Sequence, residues 1–282
     1  MATLGYVALK NLLISGSKGL VGRTLIPLLY SDFRVHEIDR ENLNVKFLKA
    51  FSEKAEGKYH FIHLAWPVSS PDYLNSKENT RFLNQSKVLM QFLINDHNCD
   101  LIFGIGSILE HGDLENVFDD SPVNPLSLYA QAKCELADFL RDYGIEKSRW
   151  LRIGYQVSAF DPPTKLVPTL LVNANSTIPL REPNKELDLI HRYDVASAIL
   201  HFSKAPNSIA GFSSLITTGR SLPLYKFANE FLQHKIVKSN ETNFAQYTHP
   251  INLKSMGWMP KYVEVDDLAK VIKLEASSNI SG

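Results

Sequence analysis

Short apolar runs alternate along the chain with longer stretches in which apolar residues recur at helical spacing. The strand-like runs are Asn11–Ser15, Phe33–Ile38, His60–Ala65, Leu101–Ile105, Trp150–Val157 and Ser213–Thr217. They are short and nearly continuous in apolar residues, as strands buried on both faces of a parallel sheet are. Between them, residues 80–95 carry Phe82, Leu83, Leu89, Phe92 and Leu93, and residues 128–142 carry Ala132, Leu136, Phe139 and Leu140. That spacing predicts two amphipathic helices. Strands alternating with helices predict βαβ units and an α/β chain with a doubly wound parallel sheet. The connection between Asp39 and the His60 run leaves room only for a very short third strand, placed at Leu43–Val45. Past residue 160 the rhythm loosens into Asp161-Pro-Pro163, a helix near 165–173 and loops around Arg181–Lys185. A main domain over 1–160, rejoined by 191–218, and a small C-terminal substrate lobe from 161–190 and 219–282 follow from this pattern.

Composition narrows the class. Thirty basic and thirty acidic side chains among 282 residues give a net charge of zero, which argues against a nucleic-acid surface. No apolar run reaches the roughly 18 residues of a membrane span. The first residues, MATLGYVALKNLLISG, lack the basic region and cleavage site of a secretory signal. Cys99 and Cys134 are too few for a disulfide framework, so a cytoplasmic protein is expected. The histidines lack metal-site spacing, and no metal is expected; His63, on a buried strand, reads as a core residue. His191 and Asp194 read as ordering a loop between lobes.

Candidate chemistry starts after the first strand, where Gly16-Ser-Lys-Gly19-Leu20-Val21-Gly22 opens a helix. Glycines there permit a tight turn and close backbone approach to a pyrophosphate, which sits on the helix N-terminus as in a Rossmann-type fold. Asp39, at the end of the second strand, is placed for an adenosine ribose and so for NAD. Arg40 beside it leaves NADP open, because a guanidinium pairs with a 2′-phosphate. Pro27 falls inside the following helix and is expected to kink it or cost it a backbone bond.

A Tyr-x-x-x-Lys pair puts both side chains on one helix face. Eleven tyrosines and twenty lysines give roughly 0.8 such pairs by chance. The chain has four: Tyr6/Lys10, Tyr73/Lys77, Tyr129/Lys133 and Tyr143/Lys147. Only Tyr129/Lys133 opens a long helix and has an upstream partner, Ser107, at the carboxyl end of a strand where α/β sheets bind ligands. Lys133, together with a positive nicotinamide ring, is expected to lower the phenol's pKa, so that Tyr129 exchanges a proton with a carbonyl or hydroxyl oxygen that Ser107 also binds.

These segments, with HLAW (63–66), GSILEHG (106–112), PLSLYAQAK (125–133), Leu151-Arg152, IHRYDV (190–195) and GWMP (257–260), resemble the extended short-chain dehydrogenase/reductase family in order and spacing. This is the NAD-dependent epimerase/dehydratase group acting on nucleotide sugars. The short stretch after Asp39 is most similar to the nucleotide-sugar ketoreductases of the dTDP-4-dehydrorhamnose reductase kind. The resemblance implies hydride transfer to a keto group on a nucleotide-linked sugar, with Ser107, Tyr129 and Lys133 catalytic. It implies cofactor contacts from Gly16, Gly19, Leu20, Val21, Gly22, Asp39, Arg40, Leu64, Ala65, Tyr129, Lys133 and Tyr155. Ser107, His111, Arg181 and Arg192 would contact substrate, with Lys185 a further phosphate partner. Helices 80–95 and 128–142 would form the four-helix interface of a homodimer.

Departures from the family pattern matter too. Ile108 and Leu109 replace the Asp-Glu of the dehydratases, which counts against water elimination. His111 stands where a tyrosine is usual, Leu187 where an arginine grips the substrate diphosphate, and Tyr155 where an asparagine is common. Two alternatives stay open: an epimerase with tightly held NAD, and a non-enzymatic NAD(P)-sensing protein. The Ser107, Tyr129 and Lys133 set argues against the second, since sensing needs only the phosphate loop.

Overall fold

In the computed structural model, residues 9–68, 71–176, 178–180, 182–206, 211–236 and 244–278 are described. Six parallel strands make the central sheet, in the order β2-β1-β3-β4-β6-β10. The chain reaches them through β1 (Lys10–Ser15), α1 (Leu20–Leu29), β2 (Phe33–Ile38), α2 (Val45–Lys54), β3 (Tyr59–His63), α3 (Glu78–Asn95) and β4 (Cys99–Ser107). It continues with β5 (Asn116–Phe118), α4 (Leu128–Gly144), β6 (Ser148–Ile153), β7 (Tyr155–Val157), α5 (Leu166–Val172), β8 (Glu186–Leu187) and β9 (Leu189–His191). The remaining elements are α6 (Arg192–Lys204), β10 (Ser213–Ile216), β11 (Leu222–Pro223), α7 (Leu224–Asn229), β12 (Tyr247–His249), α8 (Ile251–Ser255) and α9 (Val265–Ser278).

Alternation along a strand explains the layers. Leu12 and Ile14 of β1 pack on one face with Leu25 of α1 and Ile199 of α6. Leu13 points the other way, into a cluster with Phe61, Leu89 of α3 and Leu136 of α4. Both faces are covered, which is why the strands read as continuous apolar runs. A third cluster, with Val157, Leu187, Phe227, Leu268 and Ile272, forms the core of the lobe built by α5, α7 and α9.

Several expectations are corrected. No strand forms at Leu43–Val45. Asn44 instead caps α2, its side chain accepting a hydrogen bond from Phe47 N at 3.0 Å, and Leu48 is buried beneath the helix. The sheet therefore ends at β2. The run from Trp150 to Val157 breaks at Gly154: β6 pairs in the main sheet, while β7 pairs with β9. The strand at 60–65 ends at His63, so Leu64 and Ala65 leave the sheet. Pro27 lies within α1, which runs unbroken around it; the helix forgoes the bond an N–H there would give the Arg23 carbonyl.

Sheet order places β1 between β2 and β3, so the connections leave in opposite directions on either side of β1. At such a switch point, a crevice opens beyond the carboxyl ends of the strands.

Candidate active site

A cleft of about 1170 Å³ lies at that crevice. Its first wall is the glycine loop. Gly16 has a φ of +78°, a conformation that glycine alone adopts readily, and a Cβ there would sit 2.5 Å from Ala65 N. A Cβ on Gly22 would sit 2.4 Å from Gly16 O, so the turn and the helix pack at backbone contact. Gly19 occupies the N-cap of α1 with no side-chain cap among the described residues. The first-turn N–H groups therefore face the cleft as a ready anion site. Leu20, Val21, Asp39, Arg40, Leu64 and Ala65 line the same end. Lys18 lies 2.7 Å from Asp39.

The second wall carries Ser107, Tyr129 and Lys133, all lining the cleft. Ser107 ends β4 and heads a capping box: its hydroxyl accepts from Leu109 N at 3.2 Å, and its own N–H donates to Glu110 Oε1 at 2.8 Å. Tyr129 sits in the first turn of α4, which Ser127 caps by accepting from Ala130 N. Its ring meets those of Tyr73 and Trp66 edge to face at 5.3 and 6.3 Å. One turn on, Lys133 is buried; its ammonium donates to Ile105 O at 2.7 Å and lies 3.7 Å from the centre of the Trp66 ring.

Burial raises the Tyr129 phenol well above its ordinary pKa, with Tyr73 and Glu110 adding to the effect and a hydrogen bond from Ser107 opposing it. Burial also pushes Lys133 down to about 7, against the pull of Glu110.

Beneath the site lies a group that the sequence reading assigned no role. Glu110 is fully buried, and its Oε2 accepts from Arg152 Nε at 2.7 Å and from Trp150 Nε1 at 3.0 Å. Because Oε1 takes the Ser107 N–H, this ion pair fixes the serine's backbone. Glu110 and Arg152 are 42 residues apart, so no local pattern announces them.

The structure treats the other sequence-derived residues unequally. Tyr155 and Arg192 line the cleft. His111 does not: the short 3-10 turn at Ile108–His111 rotates it inward, where it is fully buried and its Nδ1 meets Pro122 O at 2.9 Å. Burial lowers its pKa to about 4. A substrate contact from His111 is therefore corrected to a core position. Arg192 is already engaged, its Nε donating to Glu275 at 2.5 Å and its guanidinium stacked on Phe160. Arg181 lies outside the described residues. Lys185 pairs with Glu182 and is not part of the cleft lining.

His63 is buried between the hydroxyls of Ser15 and Ser86, at 2.8 and 3.0 Å. Asp194 accepts from the N–H groups of Lys261 and Tyr262. Asp161, read only as loop, lines the cleft, and burial raises its carboxyl to about 6. Among the described residues, no group of three or more His, Cys, Asp or Glu side chains could hold a metal ion.

No family model and no curated protein sequence matches the chain. Solved structures do. UDP-N-acetylglucosamine 4-epimerase from Methanobrevibacter ruminantium M1, in complex with UDP-N-acetylmuramic acid, superposes with a TM-score of 0.75 at 17% identity, covering 97% of this chain and 99% of that one. dTDP-glucose 4,6-dehydratase from Bacillus anthracis, in complex with NAD, gives 0.73 at 13% identity, covering 96% and 98%. A dTDP-4-dehydrorhamnose reductase from Clostridium acetobutylicum gives 0.73 at 16% identity, covering 94% and 99%. The chain has the fold of these three enzymes across nearly its whole length.

Proposed function

We propose that the chain is an NAD-dependent oxidoreductase of the extended short-chain dehydrogenase/reductase family that reduces a carbonyl group. The observation that carries this reading is one cleft, at the sheet's switch point, lined by the uncapped glycine loop and by Ser107, Tyr129 and Lys133 together. The loop suits a dinucleotide: its glycines leave room at the backbone, α1 offers free N–H groups to the pyrophosphate, and Asp39 stands where a ribose hydroxyl would reach. NAD bound in the B. anthracis structure supports the same cofactor.

Reduced nicotinamide, when bound, would supply a hydride, one proton with two electrons, to the carbonyl carbon. As that bond forms, the π pair of the carbonyl moves onto its oxygen. Tyr129 gives that oxygen its phenolic proton, completing the alcohol, and Ser107 steadies it by a hydrogen bond. Lys133 holds the floor of the site through Ile105 and Trp66.

A nucleotide-linked keto sugar, implied by the resemblance, is the carbonyl compound this reading takes as substrate. Free, buried Cys99 and Cys134 support a cytoplasmic setting. No helix among the described residues is long and apolar enough to cross a membrane. A homodimer through α3 and α4 belongs to the same reading, supported by the exposure of Val88 and Tyr143 on those helices, and light scattering tests it.

The test is calorimetric titration of the chain with NADH and NAD, followed by loss of NADH absorbance on adding a carbonyl compound. Binding of neither cofactor overturns the proposal.

A further inference from the structure

Trp66 stands three residues past the end of β3, where the chain has left the sheet. A tight turn follows, with Val68 N donating to Trp66 O at 3.0 Å. The indole packs edge to face on Phe82 at 5.2 Å and lines the cleft, whereas Trp150 and Trp258, the other two tryptophans, are buried in the core. Leucine or methionine would serve for packing on Phe82. What the indole adds is a flat π face and one N–H donor.

Both additions are used. The Lys133 ammonium lies 3.7 Å from the centre of the ring, besides donating to Ile105 O at 2.7 Å. The indole N–H donates to Asn79 Oδ1 at 2.8 Å. Asn79 is fully buried in the first turn of α3, and its amide nitrogen donates in turn to the carbonyls of Tyr73 and Ser76, at 2.6 and 3.0 Å. The segment held in this way also accepts from Tyr129 N through Leu74 O at 2.8 Å. Trp66 thus touches the lysine of the site directly and, by way of Asn79, fixes the segment whose Tyr73 ring flanks Tyr129. The choice of a ring has a physical consequence. A carboxylate in this place would occupy the ammonium's N–H groups and cancel its charge. A π face attracts the cation through its quadrupole and neutralises nothing, so Lys133 is placed in the cleft without a counter-ion upon it.

We propose, resting on the oxidoreductase reading above, that Trp66 is a positioning residue for this reaction. Its ring face sets where the Lys133 ammonium stands, and so how that lysine meets the cofactor. Its N–H, through Asn79, holds the segment beside Tyr129 in register with the first turn of α4.

Two measurements on the full chain test this. Trp66→Phe keeps a π face for the ammonium and drops the N–H, whereas Trp66→Met keeps apolar bulk without a face. In calorimetric titration with NADH, the Met variant should bind about tenfold more weakly than wild type, and the Phe variant should recover most of that loss. Phe and Met variants that bind NADH alike would assign Trp66 to packing and overturn the proposal. The second measurement needs no cofactor. A charge lying on an indole displaces its fluorescence emission, so Lys133→Met should shift the emission of the wild-type chain and leave that of the Trp66→Phe chain where it was. No shift in the first background, or the same shift in both, overturns the placement of the lysine on Trp66. Should Trp66→Met not fold, this comparison still decides, since it does not use that variant. Wild-type protein that binds no NADH, yet shows the expected emission pattern, would instead sink the oxidoreductase reading, which separates the two failures.

Discussion

The Lys18 ammonium, from the glycine loop, lies 2.7 Å from a carboxylate oxygen of Asp39 at the end of β2. Asp39 alone would repel a 2′-phosphate, but here a cation sits on it, with Arg40 beside it in the cleft lining. The hydrogen bond to the carboxylate, together with its negative charge, raises the pKa of Lys18. Removing either partner should tip cofactor choice in opposite directions. Lys18→Ala leaves Asp39 unmatched and should strengthen the preference for NAD over NADP. Asp39→Ala leaves Lys18 and Arg40 free and should move preference toward NADP. Dissociation constants for both cofactors measure this, and shifts of the same sign in the two variants would show that the pair does not read the ribose.

Tyr129→Phe removes the transferable proton and little else, because the ring contacts with Trp66 and Tyr73 remain. Turnover should fall about 10²–10⁴-fold while NADH affinity stays within twofold or so. Tyr143→Phe, on an exposed ring against Phe139, should leave kcat unchanged. Equal losses in the two variants would remove Tyr129 from the chemistry.

What the sequence disclosed follows from how local each signal is. β1, β4 and the two long helices were legible because burial on both faces, or on one helical face, writes a period into neighbouring residues. The glycine loop and the Tyr129/Lys133 spacing are likewise local. α2 carried a local signal too, Asn44 at its cap with Val45, Leu48 and Phe51 at helical spacing, but the strand expected at Leu43–Val45 displaced it. His111 looked available because nothing near it in sequence reports the 3-10 turn that buries it, a turn anchored by Glu110 on Arg152, 42 residues away. Arg192 looked free because Glu275 lies 83 residues further on. The Lys133 environment depends on Trp66 from another strand's end, so its shift toward neutrality had no sequence signal.

That shift has a consequence for stability. The folded pKa of Lys133, about 7, lies below the ordinary 10.5, so the unfolded chain binds the extra proton between those values. Stability from this group therefore rises as pH rises from about 7 toward 10.5, and its full penalty is present below 7. Lys133→Met removes the penalty together with the Ile105 hydrogen bond. The difference in melting temperature, variant minus wild type, should be more positive at pH 6 than at pH 9, while NADH oxidation is lost at both. A difference independent of pH would mean that the ammonium is not desolvated as the geometry implies.

Glu275 gives the opposite sign. Although burial disfavours its charge, His191 at 3.0 Å and Arg192 at 2.5 Å hold its carboxyl down to about 2, against an ordinary 4.5. The folded state thus prefers the carboxylate, and its stabilisation is fully present above about pH 4.5 and lost as pH falls through about 2. A shift of that size corresponds to about 3–4 kcal/mol. Glu275→Gln should lower the unfolding free energy by that amount at pH 7, with the gap to wild type narrowing steadily below pH 4.5. The other carboxylate oxygen accepts from Ser158 Oγ and Ala159 N, so the variant should also loosen the segment that leads into Asp161 at the cleft. A raised substrate KM with unchanged NADH affinity is the expected kinetic signature. Denaturant unfolding at pH 7, 4.5 and 3 separates the contributions: a gap that stays constant across the three would assign the loss to packing of the side chain, and a gap that closes assigns it to the charge.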